Sequence, residues 1–396
     1  MIVLDFIWTI FQVLVGFYLV WPLILYLLWT IRSKSNNQQQ AGGAAEQDYA
    51  VIVTAYEQTH TLPAVISSIL ELNYSNYHIY VVADKCDISN LNFDSSKISL
   101  LRPEVTLASN TKSHFYAIKR FVRPHTCLTI VDSDNLVHPE FLNELNRAFS
   151  RGYLAVQGLR EAKNLDTTYA CLDAARDIYY HHYDGKLLFE AGSSATLSGS
   201  GMAFSVNLYR ECLEHRNIEG AGFDKVLQAA IVEKNYRIAF TDHAIVYDEK
   251  TSRSDQLVQQ RSRWINTWFK YFYLGFKLVG KGLKNSSINQ LLFGITLLRP
   301  PLFIFILLSG VCFLVNLWIS PTTSMVWLLA FTSFVAGFYL ALSKSGTDPR
   351  IFKSLKNIPH FMFYQIQSLL KSRKANQRSV ATKHYHAESI DKLNKK

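Results

Sequence analysis

The feature that most constrains this chain is a long apolar segment close to its start. Residues 6–31 contain no charged side chain, and Arg32 and Lys34 follow directly. A helix of that length can cross about 30 Å of hydrocarbon. A signal peptide would begin with positive residues and have a shorter apolar core before a small-residue cleavage site, whereas this chain begins Met1-Ile2-Val3-Leu4-Asp5. We therefore expect residues 1–34 to form a transmembrane helix that is retained.

Two further apolar segments lie late in the chain, at residues 302–319 and 325–342. Only the short uncharged spacer Ser-Pro-Thr-Thr-Ser separates them. This arrangement predicts a membrane hairpin within residues 276–343. Each segment is close to the lower length limit for a membrane span, so a buried helix pair of a soluble domain is the alternative.

Basic residues beside the apolar segments predict the orientation, because Lys and Arg favour the cytoplasmic side of short flanks. Besides Arg32 and Lys34, the flanking basic residues are Lys281, Lys284, Arg299, Lys344, Arg350, Lys353 and Lys356. All of these basic residues lie on the cytoplasmic side if the middle of the chain and the tail (344–396) are in the cytoplasm and the spans cross the plasma (inner) membrane. The chain has 41 Lys+Arg against 31 Asp+Glu, and in this orientation most of the excess basic residues lie next to membrane lipid. Nucleic acid is therefore not an expected partner.

The middle of the chain alternates strand and helix patterns, after a polar linker at residues 35–48. The predicted strands are 49–54, 77–83, 97–101 and 126–131, and the predicted helices are 62–72, 111–122 and 139–151. Such alternation predicts an α/β fold with a mostly parallel sheet and helices on both faces. Ligands of these sheets bind beyond the carboxyl ends of the strands.

Polar residues follow several of these strands, and Asp132-Ser133-Asp134 is the most informative group. Two carboxylates leaving one strand suit a hard cation such as Mg²⁺ or Mn²⁺, which prefers oxygen ligands and substrate phosphates. A solvated turn is the alternative. The sequence has neither a GxGxxG nor a GxxxxGK[ST] motif, so Rossmann and P-loop phosphate sites are not expected. Five scattered cysteines without a CxxC pair argue against a zinc site or a disulfide framework.

Several motifs occur in the order found in the inverting family-2 glycosyltransferases, which have the GT-A (nucleotide-diphospho-sugar transferase) fold. VIVTAYEQTHTLPAVISSILELNYSNYHIYVVADKCD resembles the opening of that family, and Asp132-Ser133-Asp134 is similar to its DxD motif. VQG at 156–158 and GSGMAF at 199–204 resemble later segments. Gln260-Arg261-Ser262-Arg263-Trp264 resembles the QxxRW motif of the membrane branch, which includes hyaluronan, chitin, poly-N-acetylglucosamine and cellulose synthases. The resemblance covers about residues 49–275, and its order makes it more specific than any single motif.

The resemblance implies roles for individual residues, with a nucleotide sugar, mostly a UDP-sugar and less often a GDP-sugar, as donor. Implied donor contacts are Thr54, Tyr56, Glu57, Asp84, Lys112, Asp132, Arg261 and Arg263; implied acceptor contacts are Gln157, Gly201 and Trp264; and Asp132 with Asp134 would hold Mg²⁺ or Mn²⁺. Trp264 has an interfacial anchor as its alternative role, in a helix lying on the membrane.

The resemblance also implies that Asp224 is the catalytic base, although the family's preceding glutamate is Phe223 in this chain. A helical pattern follows Asp224, so the helix dipole should favour its ionised form. A structural role as a helix N-cap is the alternative.

Three functions remain open on the sequence. The first is a processive polysaccharide synthase, for which three spans are few, so that an export partner or a homo-oligomer would be needed. The second is the addition of a single sugar to a glycan or lipid-linked acceptor. The third is a membrane scaffold that keeps the fold without chemistry; Phe223 favours it, whereas the retained Asp132, Asp134 and Asp224 argue against it.

Overall fold

A computed structural model describes residues 2–32, 45–218, 220–378 and 390 of the chain. Most of the predicted linker (35–48) and most of the tail beyond residue 378 therefore lie outside the described residues. The part between them folds around one central sheet.

Eight strands form this sheet in the order β3-β2-β1-β4-β7-β6-β8-β5. Their bounds are β1 Tyr49–Tyr56, β2 Tyr77–Asp84, β3 Ile98–Leu101, β4 Cys127–Asp132, β5 Leu136–Val137, β6 Ala155–Ala162, β7 Met202–Ser205 and β8 Ile238–Asp248. Strands β1 and β2 run parallel to each other and to their outer neighbours β4 and β3, and β6 runs parallel to β8. Strand β7 runs antiparallel to β4 and β6. Continuous apolar runs such as Val51-Ile52-Val53 form β1 because both of its faces are covered by helices. The predicted mostly parallel α/β fold is confirmed.

The helices cover both faces of the sheet and continue into an apolar C-terminal region. Their bounds are α1 Ile2–Arg32, α2 Leu62–Leu70, α3 Asn110–Ile118, α4 Phe141–Ser150, α5 Thr168–Tyr180, α6 Leu188–Glu190, α7 Val206–Leu213, α8 Phe223–Glu233, α9 Ser254–Tyr271, α10 Leu274–Lys284, α11 Ile288–Leu298, α12 Leu302–Ile319, α13 Pro321–Lys344, α14 Pro349–Ser354 and α15 Ile358–Leu370. A π-helical segment, His181–Leu187, joins α5 to α6.

Three of these helices, α1, α12 and α13, are long and apolar enough to cross a membrane. Gln12 of α1 holds them together, since its side-chain oxygen accepts hydrogen bonds from Asn316 Nδ2 of α12 (2.6 Å) and Trp327 Nε1 of α13 (2.9 Å). Between 22% and 28% of the most apolar part of each helix is buried in the protein. Apolar surface on that scale is costly in water, which argues against a buried soluble hairpin.

The predicted spacer between the last two helices is wrong in its length. We expected a loop at residues 320–324, but α13 begins at Pro321 and leaves Ser320 alone between the helices. Ser320 Oγ accepts the backbone N–H of Thr323 (3.4 Å), and proline suits the first turn of a helix because it needs no N–H partner there.

The candidate spans pack directly on the sheet domain through the π-helical segment. Tyr183 Oη donates a hydrogen bond to the carbonyl of Gly337 in α13 (2.9 Å), and Arg32 Nη1 donates to the carbonyl of Ala191 (2.9 Å). Asp184 forms a buried ion pair with Arg299, which lies between α11 and α12. These contacts bring the apolar helices to the edge of the cavity described next.

Candidate active site

A cavity of about 940 Å³ lies beyond the carboxyl ends of β1, β4 and β8. This is the edge at which ligands of parallel sheets bind. Eight of the residues singled out in the sequence line it: Thr54, Tyr56, Asp132, Asp134, Asp224, Arg261, Arg263 and Trp264. Residues separated by up to 210 positions in the chain are thus brought around one cavity.

The two aspartates of the DSD motif are positioned by backbone contacts. The N–H of Asp132 donates to Ser200 Oγ (3.1 Å), and Lys163 Nζ donates to the backbone carbonyl of Asp134 (3.1 Å). Among the described residues, no group of three His, Cys, Asp or Glu side chains could hold a metal ion by itself. Two carboxylates fit Mg²⁺ or Mn²⁺ only if substrate phosphates and water complete the coordination, which is how these ions are often bound.

A buried charge network that no sequence motif predicts lies beside Asp132. Lys250 is 2% exposed and donates to the carboxylates of Asp177 (2.6 Å) and Asp248 (2.8 Å), while Arg160 forms an ion pair with Asp248. Burial favours the neutral acid, but Arg160 and Lys250 outweigh it and lower the pKa of Asp248 to about 2. The network therefore stays ionised at neutral pH and places the cation Arg160 in the cavity wall.

Asp224 lies in the first turn of α8, with its side chain only partly buried. The N-cap of this helix is Gly222, so the alternative that Asp224 is the N-cap is wrong. Gly222 has φ +106°, and a Cβ there would lie 2.6 Å from Thr267 Cγ2 and 2.7 Å from Tyr271 Cε2 of α9. Glycine therefore permits both the turn and the close packing of α9, which together place Asp224 in the first turn of α8.

Phe223, which occupies the family's glutamate position, has a packing role. Its ring lies 5.2 Å from that of His114, whose Nδ1 is hydrogen-bonded to the hydroxyl of Tyr209 (2.7 Å). Burial lowers the pKa of His114 to about 3, so this imidazole is neutral and packs against an aromatic ring. The substitution therefore adds apolar contact next to Asp224 and leaves Asp224 itself in place.

Trp264 is held on the cavity wall by two guanidinium groups. The Cζ atoms of Arg261 and Arg176 lie 4.1 and 4.4 Å from the centroid of the indole ring. Arg261 is buried in an ion pair with Asp173, and burial lowers its pKa to about 9, so it stays protonated at neutral pH. About a third of Trp264 remains exposed, which leaves surface on which a ring can stack.

Three of the implied donor residues do not line the cavity. Glu57 forms an exposed ion pair with Lys85 (2.7 Å), and Lys112 is exposed on α3. Both carboxylate oxygens of Asp84 accept backbone N–H groups, from Leu107 (2.9 Å) and Ala108 (2.7 Å). Asp84 therefore shapes the loop beside the cavity.

Gln157 and Gly201, the implied acceptor residues besides Trp264, lie beneath the wall. Gln157 is fully buried, and its amide accepts the N–H of Ser198 (2.9 Å) and donates to the carbonyls of Gly158 (2.9 Å) and Ser200 (3.2 Å). With these bonds made, Gln157 holds the 198–201 loop, whose Ser198 and Gly199 line the cavity. We expect it to support the acceptor side without contacting the acceptor.

Comparison with known proteins finds solved structures that are similar to this chain. A solved structure of the mannosyltransferase PcManGT from Pyrobaculum calidifontis, in complex with GDP-Man and Mn²⁺, is similar over 91% of this chain and 98% of its own, with 13% identity and a TM-score of 0.52. S. aureus TarS (residues 1–349) in complex with UDP-GlcNAc matches over 83% of this chain and 90% of its own, with 12% identity and a TM-score of 0.40, too low to carry weight. No curated protein matches the sequence.

The first of these likenesses shows the GT-A fold and, at its low identity, nothing about substrates. The family profile described as "Glycosyltransferase like family 2" matches residues 46–267, which is more than half of the chain. That range contains the sheet, the DSD motif, Asp224 and the QRSRW motif. The chain is a member of glycosyltransferase family 2, and it is a glycosyltransferase.

Proposed function

We propose that this protein is a membrane-bound inverting glycosyltransferase, which moves a sugar from a nucleotide sugar to an acceptor hydroxyl with the help of Mg²⁺ or Mn²⁺. The observation that carries the proposal is that the two DSD carboxylates, the candidate base Asp224 and Trp264 line one cavity. The similar mannosyltransferase structure contains GDP-Man and Mn²⁺, and we propose the same classes of donor and cation for this chain.

The roles we propose divide the cavity between donor and acceptor. Thr54, Tyr56 and Asp132 contact the donor, and Arg263 adds positive charge near its diphosphate. Trp264 stacks on the acceptor, while Asp224 takes the proton of the acceptor hydroxyl as its oxygen attacks the anomeric carbon. The bond from that carbon to the diphosphate breaks, and the nucleoside diphosphate leaves with the electron pair. A bound Mg²⁺ or Mn²⁺ would neutralise the charge that collects on the leaving diphosphate.

The arrangement in the membrane is part of the same proposal. The helix 1–34 and the hairpin in 276–343 cross the plasma membrane, and the catalytic domain 49–275 faces the cytoplasm, where the donor is made. The linker 35–48 and the basic tail 344–396 lie on the same side. A non-catalytic scaffold is disfavoured because Phe223 leaves Asp224 at its helix terminus.

The test is the release of nucleoside diphosphate by the purified full-length protein from a panel of nucleotide sugars with Mn²⁺ or Mg²⁺. Asp134→Asn should reduce release to background, because the substitution removes one of the two carboxylates offered to the cation. Asp94→Asn, at an exposed site outside the cavity, is the matched control and should keep parent activity. Parent-level release by Asp134→Asn, or in excess chelator, would refute the metal site.

A further inference from the structure

The cavity continues from the carboxylates to the side chains of α12 and α13, and its wall changes character on the way. The near part contains the aspartates, Arg261 and Trp264. The far part is lined by apolar side chains of the two candidate spans: Phe303 and Ile306 of α12, and Phe331, Phe334, Val335 and Phe338 of α13. One continuous space therefore joins the proposed reaction centre to the apolar helices.

The apolar end of the cavity is accessible from outside. Val335 and Phe331 line the cavity and are still 50% and 39% exposed, whereas Phe334 between them is buried. Since this part of α13 belongs to a candidate span, the opening would face lipid acyl chains. A molecule lying in the bilayer could enter the cavity there without leaving the hydrocarbon.

The boundary between the two parts carries polar groups that lack a partner. Arg299 is buried and paired with Asp184, yet its Nη1 has no hydrogen-bond acceptor within the part of the chain that the structure describes. An acceptor among the described residues is also missing for Nε and Nη1 of Arg261 and for Nε2 of Gln365 in α15. Buried donors without acceptors cost free energy, so a ligand that brings oxygen atoms to this boundary is favoured.

From these observations we infer that the acceptor is a lipid-linked molecule. Its oxygen-rich headgroup lies between Arg299 and Trp264, and its hydrocarbon chain lies between α12 and α13. This inference rests on the proposed function and names the acceptor class for the same site. The six phenylalanine, isoleucine and valine side chains of the far part offer no hydrogen bond to a hydrated polysaccharide, whose hydroxyl groups would lose water without replacement. A hydrocarbon chain gains free energy on the same surface.

The transfer balances for such an acceptor. A hydroxyl oxygen of the headgroup forms the new bond to the anomeric carbon, and the carbon–oxygen bond to the nucleoside diphosphate breaks. The proton goes to Asp224, and the product remains in the membrane as a glycosylated lipid.

The experiment uses membranes that contain the full-length protein, incubated with a nucleotide sugar labelled in its sugar and with Mn²⁺. We expect the transferred label to partition into chloroform–methanol with lipids. Val335→Trp narrows the apolar part of the cavity and should lower lipid labelling by about tenfold or more, because excluding about two methylene groups from apolar contact accounts for that factor. Leu329→Trp, on the exposed side of α13 and outside the cavity, is the matched control and should behave as the parent.

The outcomes separate this inference from the proposed function. If label is transferred but stays in water-soluble product of high mass, or if Val335→Trp transfers at the parent rate, the lipid acceptor is refuted while glycosyl transfer stands. If no nucleoside diphosphate is released from any donor, the proposed function fails and this inference fails with it. To verify that Val335→Trp is folded, its size-exclusion elution and its thermal unfolding midpoint in detergent should match those of the parent.

Discussion

The ion pair between Asp173 and Arg261 is expected to be essential for the stability of the active-site wall. Both residues are 3% exposed, and the guanidinium of Arg261 packs against the indole ring of Trp264. Asp173→Leu removes the carboxylate and leaves the guanidinium buried without its partner. Breaking a buried pair in this way typically costs about 3–5 kcal/mol. We therefore expect the free energy of unfolding of Asp173→Leu to fall by that amount.

The double variant Asp173→Leu/Arg261→Met should recover most of that loss. Replacing both members of a buried pair with apolar side chains of similar size is often neutral or stabilising. Arg261→Met alone should cost less than Asp173→Leu, because Arg176 remains 3.4 Å from the carboxylate of Asp173. The coupling energy between the two positions should then be about 2 kcal/mol or more, since it includes the part of the loss that the double variant recovers.

The double variant should nevertheless use its acceptor poorly. Trp264 loses one of its two guanidinium contacts, and such contacts contribute about 0.5–2 kcal/mol. If that energy positions the indole ring, the KM for the acceptor should rise by about 2–30-fold. The KM for the donor should change little.

The assay is urea unfolding of the detergent-solubilised full-length protein, followed by tryptophan fluorescence. The control is Arg210→Ala, which removes a largely exposed ion pair between Arg210 of α7 and Glu214 just after that helix, and it should change stability by less than about 1 kcal/mol. The reasoning is refuted if Asp173→Leu is as stable as the parent. It is also refuted if the double variant is no more stable than Asp173→Leu.

Two further predictions concern topology and pH. Cys86 and Cys212 are buried and cannot report orientation, so a membrane-impermeant thiol reagent should be applied to exposed positions. In intact cells it should label Thr322→Cys, in the first turn of α13, and miss Glu104→Cys. The reverse pattern would overturn the topology. Burial lowers the pKa of His114 to about 3, so on acidification the unfolded state binds a proton at higher pH than the folded state does. The free energy of unfolding should therefore be highest above a pH of about 6.5 and should fall between pH 6.5 and pH 3 by up to about 1.4 kcal/mol per pH unit. His114→Phe should reduce this slope.

The strands near the start of the sheet were predictable because their apolar runs are continuous and bounded by polar residues. Predicted 49–54 became Tyr49–Tyr56, and predicted 77–83 became Tyr77–Asp84. Strands β6, β7 and β8 were not predicted, because only their tertiary neighbours distinguish them: β7 has four residues and runs antiparallel between β4 and β6.

The site was predictable where a motif sits at the end of a strand or the start of a helix. Asp132 and Asp224 are of this kind, and both line the cavity. Lys250, Asp173 and Arg299 could not be found, because each acquires its role from a partner remote in sequence; Asp173 and Arg261 are 88 residues apart. Resemblance to a family also does not distinguish a residue that contacts a ligand from one that supports the site. Gln157 and Asp84 match the family's motifs, but their polar groups bind the protein's own backbone.

The measurement that tests the central claim most directly is sugar transfer by Asp224→Asn, beside donor binding by the same variant. Asparagine keeps the size and polarity of the side chain but cannot take the proton, so transfer should fall by about 10²–10⁴ while metal-dependent donor binding stays near the parent value. Trp264→Ala, run in parallel, should weaken acceptor use and leave donor binding in place. Transfer at the parent rate by Asp224→Asn would mean that the base lies elsewhere, and loss of donor binding would mean that Asp224 is structural.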